Sequence, residues 1–164
     1  MNKDVQDAVN DQVKHELASA YAYLSMSAHF ESENLPGFAR WMRLQAQEEL
    51  GHAMRLFDYL NERGARVMLQ AVEKPPTNFD SPLSVFEQAL AHEKKITGLI
   101  EQLYETAGKH RDYATQVALQ WFLTEQVEEE NSVSLVVEQV RMAGENRAAL
   151  LMLDRALGAR AGAD

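Results

Sequence analysis

Cysteine is absent from the 164 residues, which excludes disulfides and thiolate metal sites together. Glycine and proline are scarce, at eight and four residues, while 46% of the chain is apolar. That balance suits a folded helical chain and not a disordered one. No run of about 18 apolar residues occurs, so no membrane-spanning helix and no membrane partner are expected. The opening Met1-Asn2-Lys3-Asp4-Val5 lacks a basic stretch leading into an apolar one, so no secretory signal is read there. These absences together point to a cytoplasmic protein. Basic residues are the minority, 16 against 25 acidic, giving a net charge of −9. Such a surface repels phosphates and favours a cationic ligand, so nucleic acid is not expected as a partner.

What is present is helical periodicity, with no competing alternation of strand type. Four long segments are expected to be helices: about Asp4 to Glu33, Pro36 to Arg63, Asp80 to Ala107, and Asp112 to Met142. A short fifth follows from about Asn146 to Leu157. Asn34-Leu35-Pro36-Gly37 separates the first pair, Gly64 caps the second, and Gly108 is expected to stop the third. Ser81-Pro82 opens the third as a capping serine followed by proline at the first helical position. The chain is read as one domain over 1–164, with the bundle at about 4–142, the fifth helix at about 146–157 and a loose tail over 158–164.

The connection from Gly64 to Ser81 is unusually long and contains Pro75-Pro76. A helix of about 28 residues is ~42 Å long. About 17 extended residues reach ~56 Å. The loop can therefore cross the whole bundle and leave helices two and three parallel, while the short connections make their helices antiparallel. An all-α four-helix bundle with one long crossover is a known class, exemplified by ferritin-like folds.

Each long helix carries a core stripe with alternating spacings of four and three. The stripes read Val9, Val13, Glu16, Ala20, Tyr23, Ser27, Phe30 in helix one and Phe38, Met42, Gln45, Glu49, His52, Leu56, Tyr59 in helix two. Helix three gives Phe86, Leu90, Glu93, Thr97, Ile100, Tyr104, and helix four Leu119, Phe122, Gln126, Glu129, Val133, Val136, Val140. All four are interrupted by an acid near the helix middle: Glu16, Glu49, Glu93 and Glu129. Their depths along the bundle agree to within about two turns, so the four should converge at one level.

Two carboxylates ~5 Å apart at an effective dielectric near 20 repel by about 3 kcal/mol. Six such pairs approach 20 kcal/mol, against the roughly 5–15 kcal/mol that stabilises a whole domain. The cluster must therefore take up protons, as a buried polar network, or cations. Four carboxylates carry −4 and two divalent ions carry +4. Oxygen ligands with one imidazole suit Fe(II), Mn(II) or Zn(II). Glu49-x-x-His52 sets both side chains on one face, one turn apart, in the pattern used by di-iron bundles. Tyr23 lies on the face of Glu16, as a core aromatic satisfied by a carboxylate, or as a hydrogen-bond donor and one-electron source for oxygen chemistry. Gln126 is a weak ligand or orients one. The acidic run Glu125-Gln126-Val127-Glu128-Glu129-Glu130 suggests a third metal position among Glu48, Glu125, Glu128 and Glu129.

These motifs resemble those of bacterial non-haem ferritins over nearly the whole chain. The resemblance is carried by Glu16 with Tyr23, by Gln47-Glu48-Glu49-Leu50-Gly51-His52-Ala53, by His92-Glu93, and by the run from Trp121 to Glu130. It implies one site of Glu16, Glu49 and His52 with Gln126 nearby, and a second of Glu49, Glu93 and Glu129 bridged by Glu49. It also implies a possible third of Glu48, Glu125, Glu128 and Glu129. It further implies ferroxidase activity on Fe(II) with oxygen or hydrogen peroxide, with Tyr23, Glu49 and His52 at the catalytic centre. The same resemblance implies two iron ions per subunit and ferric mineral stored inside a homo-oligomeric shell of 24 copies. Bacterioferritin differs by a second Glu-x-x-His on helix four, where this chain has Gln126-x-x-Glu129, and by a haem-ligating Met where this chain has Leu50. No haem is therefore expected. The smaller Dps cages lack a fifth helix and build their iron site between subunits. Rubrerythrin-type proteins usually add a Cys-rich iron site. The fifth helix has an apolar face of Ala149, Leu150, Leu153, Ala156 and Leu157. That face must pack against symmetry-related copies or against its own bundle.

Overall fold

The computed structural model describes residues 1–161. It is all-α, with α1 (Lys3–Ser32), α2 (Pro36–Glu62), α3 (Pro82–Lys109), α4 (Tyr113–Ala143) and α5 (Arg147–Gly158). No helix among the described residues is long and apolar enough to cross a membrane. Four helices start on a side-chain cap: Asn2, Ser81, Asp112 and Asn146 each accept a backbone N–H of the first turn. Proline opens α2 and α3.

Three helices end in one way. Asn34, Gly64 and Arg111 adopt φ of 60°, 63° and 55°. The following N–H then reaches back to Phe30, Leu60 and Ala107 respectively. The third helix thus runs past Gly108 to Lys109, because Arg111 and not Gly108 takes the left-handed turn.

Cross-helix contacts fix the directions. Ser27 bonds to Ala39 and Asn10 to Arg66, so α1 and α2 are antiparallel. Gln116 meets Tyr104 and Arg141 meets Glu87, so α3 and α4 are antiparallel. Phe38 and Trp41, early in α2, pack on Phe86, early in α3, with centroids 5.3 and 5.6 Å apart. Helices α2 and α3 are therefore parallel, and the irregular segment 63–81 is the crossover. It runs along α1, meeting Asn10 at Met68, Asp11 at Gln70, Ser25 at Pro76 and His29 at Phe79.

The apolar interior falls into two parts. One is built around Phe30, Phe38, Trp41, Met42, Phe86 and Val136. The other is built around Val9, Leu56, Leu60, Ile96, Ile100 and Phe122. The polar level lies between them.

The residues after α5 depart from the expected loose tail. Gly158 belongs to α5, and the Arg160 side chain is paired with Glu48. Residues 162–164, the rest of that expected tail, lie outside the described residues. Helix α5 packs on its own bundle: Asp154 Oδ1 accepts the Phe38 N–H at 2.8 Å, and Leu157 joins the first apolar part. At Gly37 an added Cβ would lie 1.8 Å from the Asp154 carbonyl oxygen, so only glycine permits this approach. Leu151 and Met152 remain exposed on the other side of α5.

Candidate metal centre

Glu16, Glu49 and Glu93 are completely buried, and Glu129 nearly so. Each comes from the middle of a different helix, as the stripes require. His52 is buried one turn after Glu49 on α2, with Nδ1 3.4 Å from Glu49 Oε2. Its ring stands edge-on to Trp121 and Phe122, at centroid distances of 5.4 and 6.1 Å. Arg55 covers the far face of this wall, 4.1 Å from the Trp121 ring centre. Packing thus fixes the imidazole plane.

Amides and a phenol hold most of the carboxylates. Gln12 Nε2 donates to Glu16 Oε1 at 2.8 Å. Gln45 Nε2 donates to Glu129 Oε2 at 2.7 Å. Glu93 accepts from the Tyr23 hydroxyl on Oε1 and from Gln126 Nε2 on Oε2, the latter at 3.2 Å. Gln126 also donates to the Glu93 carbonyl and to Thr97 Oγ1.

Four buried atoms have no hydrogen-bond partner among the described residues: Glu16 Oε2, Glu49 Oε1, Glu49 Oε2 and His52 Nδ1. Buried polar atoms are rarely left so, because each costs about 1–3 kcal/mol. Ligand atoms of Glu16, Glu49 and His52 all lie within 4.8 Å of one another. His52, Glu125 and Glu129 form a second group meeting the same limit. This donor set of carboxylate oxygens and one imidazole fits a borderline divalent cation such as Fe(II) or Zn(II).

The electrostatics agree. Burial pushes the Glu16 carboxyl well above its ordinary range, and the charge of Glu49 adds to this. Glu49 is raised well above its range by burial, then by Glu93. Glu93 is raised by burial, against the opposing hydrogen bonds from Tyr23 and Gln126. Glu129 is pushed up to about 7 by burial and by Glu93. Burial and the Glu93 charge push the Tyr23 hydroxyl well above its ordinary value, so it remains a donor. Without cations the cluster holds protons, and a cation entering it displaces them.

The suggested third position is not assembled as one group. Glu125 and Glu129 face His52, Glu128 is exposed, and Glu48 is bound by Arg160. Sequence reasoning missed Gln12 and Arg160 and assigned Gln45 only to the core. Gln12 stands four residues before Glu16 on the same helix face, and that spacing is the signal that could have found it, whereas Gln45 stands four before Glu49 but donates across the bundle to Glu129.

Comparison with known proteins agrees with this architecture. The family described as ferritin-like domain matches residues 6–143. A bacterial non-heme ferritin of Bacteroides fragilis (strain 638R) is 39% identical over 160 residues, covering 98% of this chain and 99% of the relative. One of Staphylococcus aureus (strain USA300) is 38% identical, covering 98% and 96%. Among solved structures, a closed form of Archaeoglobus fulgidus ferritin engineered by mutagenesis superposes with a TM-score of 0.98 at 48% identity, covering 99% of both chains. An open-pore ferritin from the same archaeon superposes with a TM-score of 0.97 at 48% identity, covering 98% of this chain and 99% of that one.

Proposed function

The chain belongs to the ferritin family, and on that premise we propose that it stores iron, oxidising Fe(II) to Fe(III) at the buried carboxylate cluster. Fe(II) is the substrate. Two ions bind per subunit, held by Glu16, Glu49, His52, Glu93 and Glu129. Each gives up one electron. The pair reduces one dioxygen to hydrogen peroxide, or one peroxide to two waters. Ferric product passes to a hydrated oxide mineral inside a shell of 24 copies, in the cytoplasm. Neither haem, nucleic acid nor a membrane has a part in this reading; Leu50, not Met, stands two residues before His52.

The observation that carries the reading is the pattern of unpartnered atoms. Glu16 has one oxygen held by Gln12 and one free. Glu129 has one oxygen held by Gln45. Glu49 alone has both oxygens free, as a carboxylate bridging two ions requires. Gln126 orients a ligand through its amide nitrogen, which donates to Glu93 and Thr97, and an ion would meet it through its carbonyl oxygen. Tyr23 positions the other Glu93 oxygen. The protein's share of the chemistry is to hold two ions side by side with open positions, in a site walled by apolar side chains.

The test is aerobic addition of Fe(II) to wild type and to Glu49→Ala, followed by the absorbance of the ferric product. Outer-shell changes at metal sites cost about 10–100-fold, and loss of the bridging ligand should cost at least as much. A Glu49→Ala protein that oxidises Fe(II) at the wild-type rate removes the assigned centre.

A further inference from the structure

Arg160 is held with more care than its position after the last helix demands. Its Nη2 lies 2.9 and 2.8 Å from the two Glu48 oxygens. Its Nη1 donates to Gln45 Oε1, and its guanidinium stacks 5.2 Å from the Trp41 ring centre. The backbone around it is clamped separately. Arg40 donates to the Gly158 carbonyl at 3.1 Å and to the Arg160 carbonyl at 3.2 Å. Gly158 sits against Gly37, where an added Cβ would come within 2.8 Å of the Gly37 Cα.

These contacts reach the metal centre by two routes. Arginine only donates, so Arg160 can meet Gln45 only at its carbonyl oxygen. That leaves the Gln45 amide nitrogen facing Glu129, to which it donates at 2.7 Å. The first route therefore runs from Arg160 through Gln45 to Glu129. The second is direct charge neutralisation. Glu48 stands next to Glu49 in the chain, and its charge acts on both Glu49 and Glu129. A guanidinium on Glu48 supplies there the positive charge that a third metal ion would bring.

Resting on the iron-binding reading above, we infer that Arg160 is a built-in cation that occupies Glu48 in place of a third metal ion and sets the Gln45 amide toward Glu129. A metal ion reaches Glu48 only when Arg160 gives way. The central pair needs no such displacement, because the free atoms of Glu16, Glu49 and His52 are not touched by Arg160.

The test uses the assembled protein and Zn(II), which binds without oxidation. Crystals of wild type, Arg160→Gln and Arg160→Gln/Glu48→Gln are soaked in Zn(II) and read by anomalous scattering, with zinc stoichiometry measured in solution. Wild type should carry zinc among the central residues and none on Glu48. Arg160→Gln should gain a peak on Glu48 and one further ion per subunit, and the double variant should lose both again. Asp154 and the Gly37–Gly158 contact hold α5 independently of Arg160, so the variants keep the docking of that helix. Zinc on Glu48 in wild type with Arg160 still in place overturns the inference, as does an Arg160→Gln map with no zinc on Glu48. Missing central peaks would instead refute the iron-binding reading, and the Glu48 comparison would still decide the role of Arg160.

Discussion

Replacing Glu129 by Gln should stabilise the metal-free protein at alkaline pH and leave it unchanged at acid pH. Glu129 moves from an ordinary value of 4.5 to about 7 in the native state. At ~1.4 kcal/mol per pH unit, its ionised form costs the native state about 3 kcal/mol. Below the unfolded value both states are protonated and nothing is lost. As pH rises, the unfolded chain ionises first, so it binds fewer protons and stability falls. The full cost is reached once pH exceeds the folded value. The introduced amide has no proton to lose and can still accept from Gln45, so the variant escapes this cost. The assay is guanidinium unfolding in excess chelator, at equal protein concentration, at about pH 4, 6 and 8. The variant should match wild type at the lowest pH and exceed it by about 3 kcal/mol at the highest. Saturating Zn(II) should reverse the order at high pH, because wild type gains binding energy that the amide cannot supply. A stability difference that is the same at all three pH values would refute the reasoning, as would a variant weaker than wild type at high pH in chelator.

Three further outcomes follow from the geometry. Gly37→Ala drives a methyl into the Asp154 carbonyl, so α5 should undock, seen as faster hydrogen exchange confined to residues 147–158. Phe86→Ala removes a fully buried ring that touches Phe30, Phe38 and Trp41, and should cost about 3–5 kcal/mol in denaturant unfolding. Tyr23→Phe strips Glu93 Oε1 of its donor, and should cost the metal-free protein about 1–3 kcal/mol. The same substitution should also slow Fe(II) oxidation without preventing Zn(II) binding.

The stripes of α1 and α4 were legible residue by residue, because each position named for them is buried. In α2 and α3 the reading slipped. Leu60 is buried where the stripe named Tyr59. In α3, Ala89, Ile96 and Leu103 lie deeper than Leu90, Thr97 and Tyr104. The offset is one residue and does not grow along the helix: after Phe86, Glu93 and Ile100 the stripe took the fourth residue on and the core takes the third, while after Leu56 it took the third and the core takes the fourth. Two features were hidden for a different reason. The left-handed turn at Arg111 carries no glycine to announce it. The partners of Arg160 lie 112 and 115 residues away in the chain, so nothing in local pattern distinguishes it from any surface arginine.

The two apolar parts on either side of the polar level decide what the carboxylates can do. A carboxylate in a loosely packed interior can relieve its charge by turning toward water. Here Phe38, Met42 and Phe86 close one side, and Leu56, Ile96 and Phe122 close the other, all nearly free of solvent. The amides of Gln12, Gln45 and Gln126 then take away the remaining freedom of Glu16, Glu129 and Glu93. Relocation is excluded at each, so the charge must be met where it stands, by a proton or by a cation. Protons answer the charge by pairing carboxyl groups with one another, as Glu16 with Glu49, and supply no ligand to His52 Nδ1. Divalent cations answer the charge and the missing partners together, and for that reason the same packing that makes the metal-free state costly makes the centre selective for being filled.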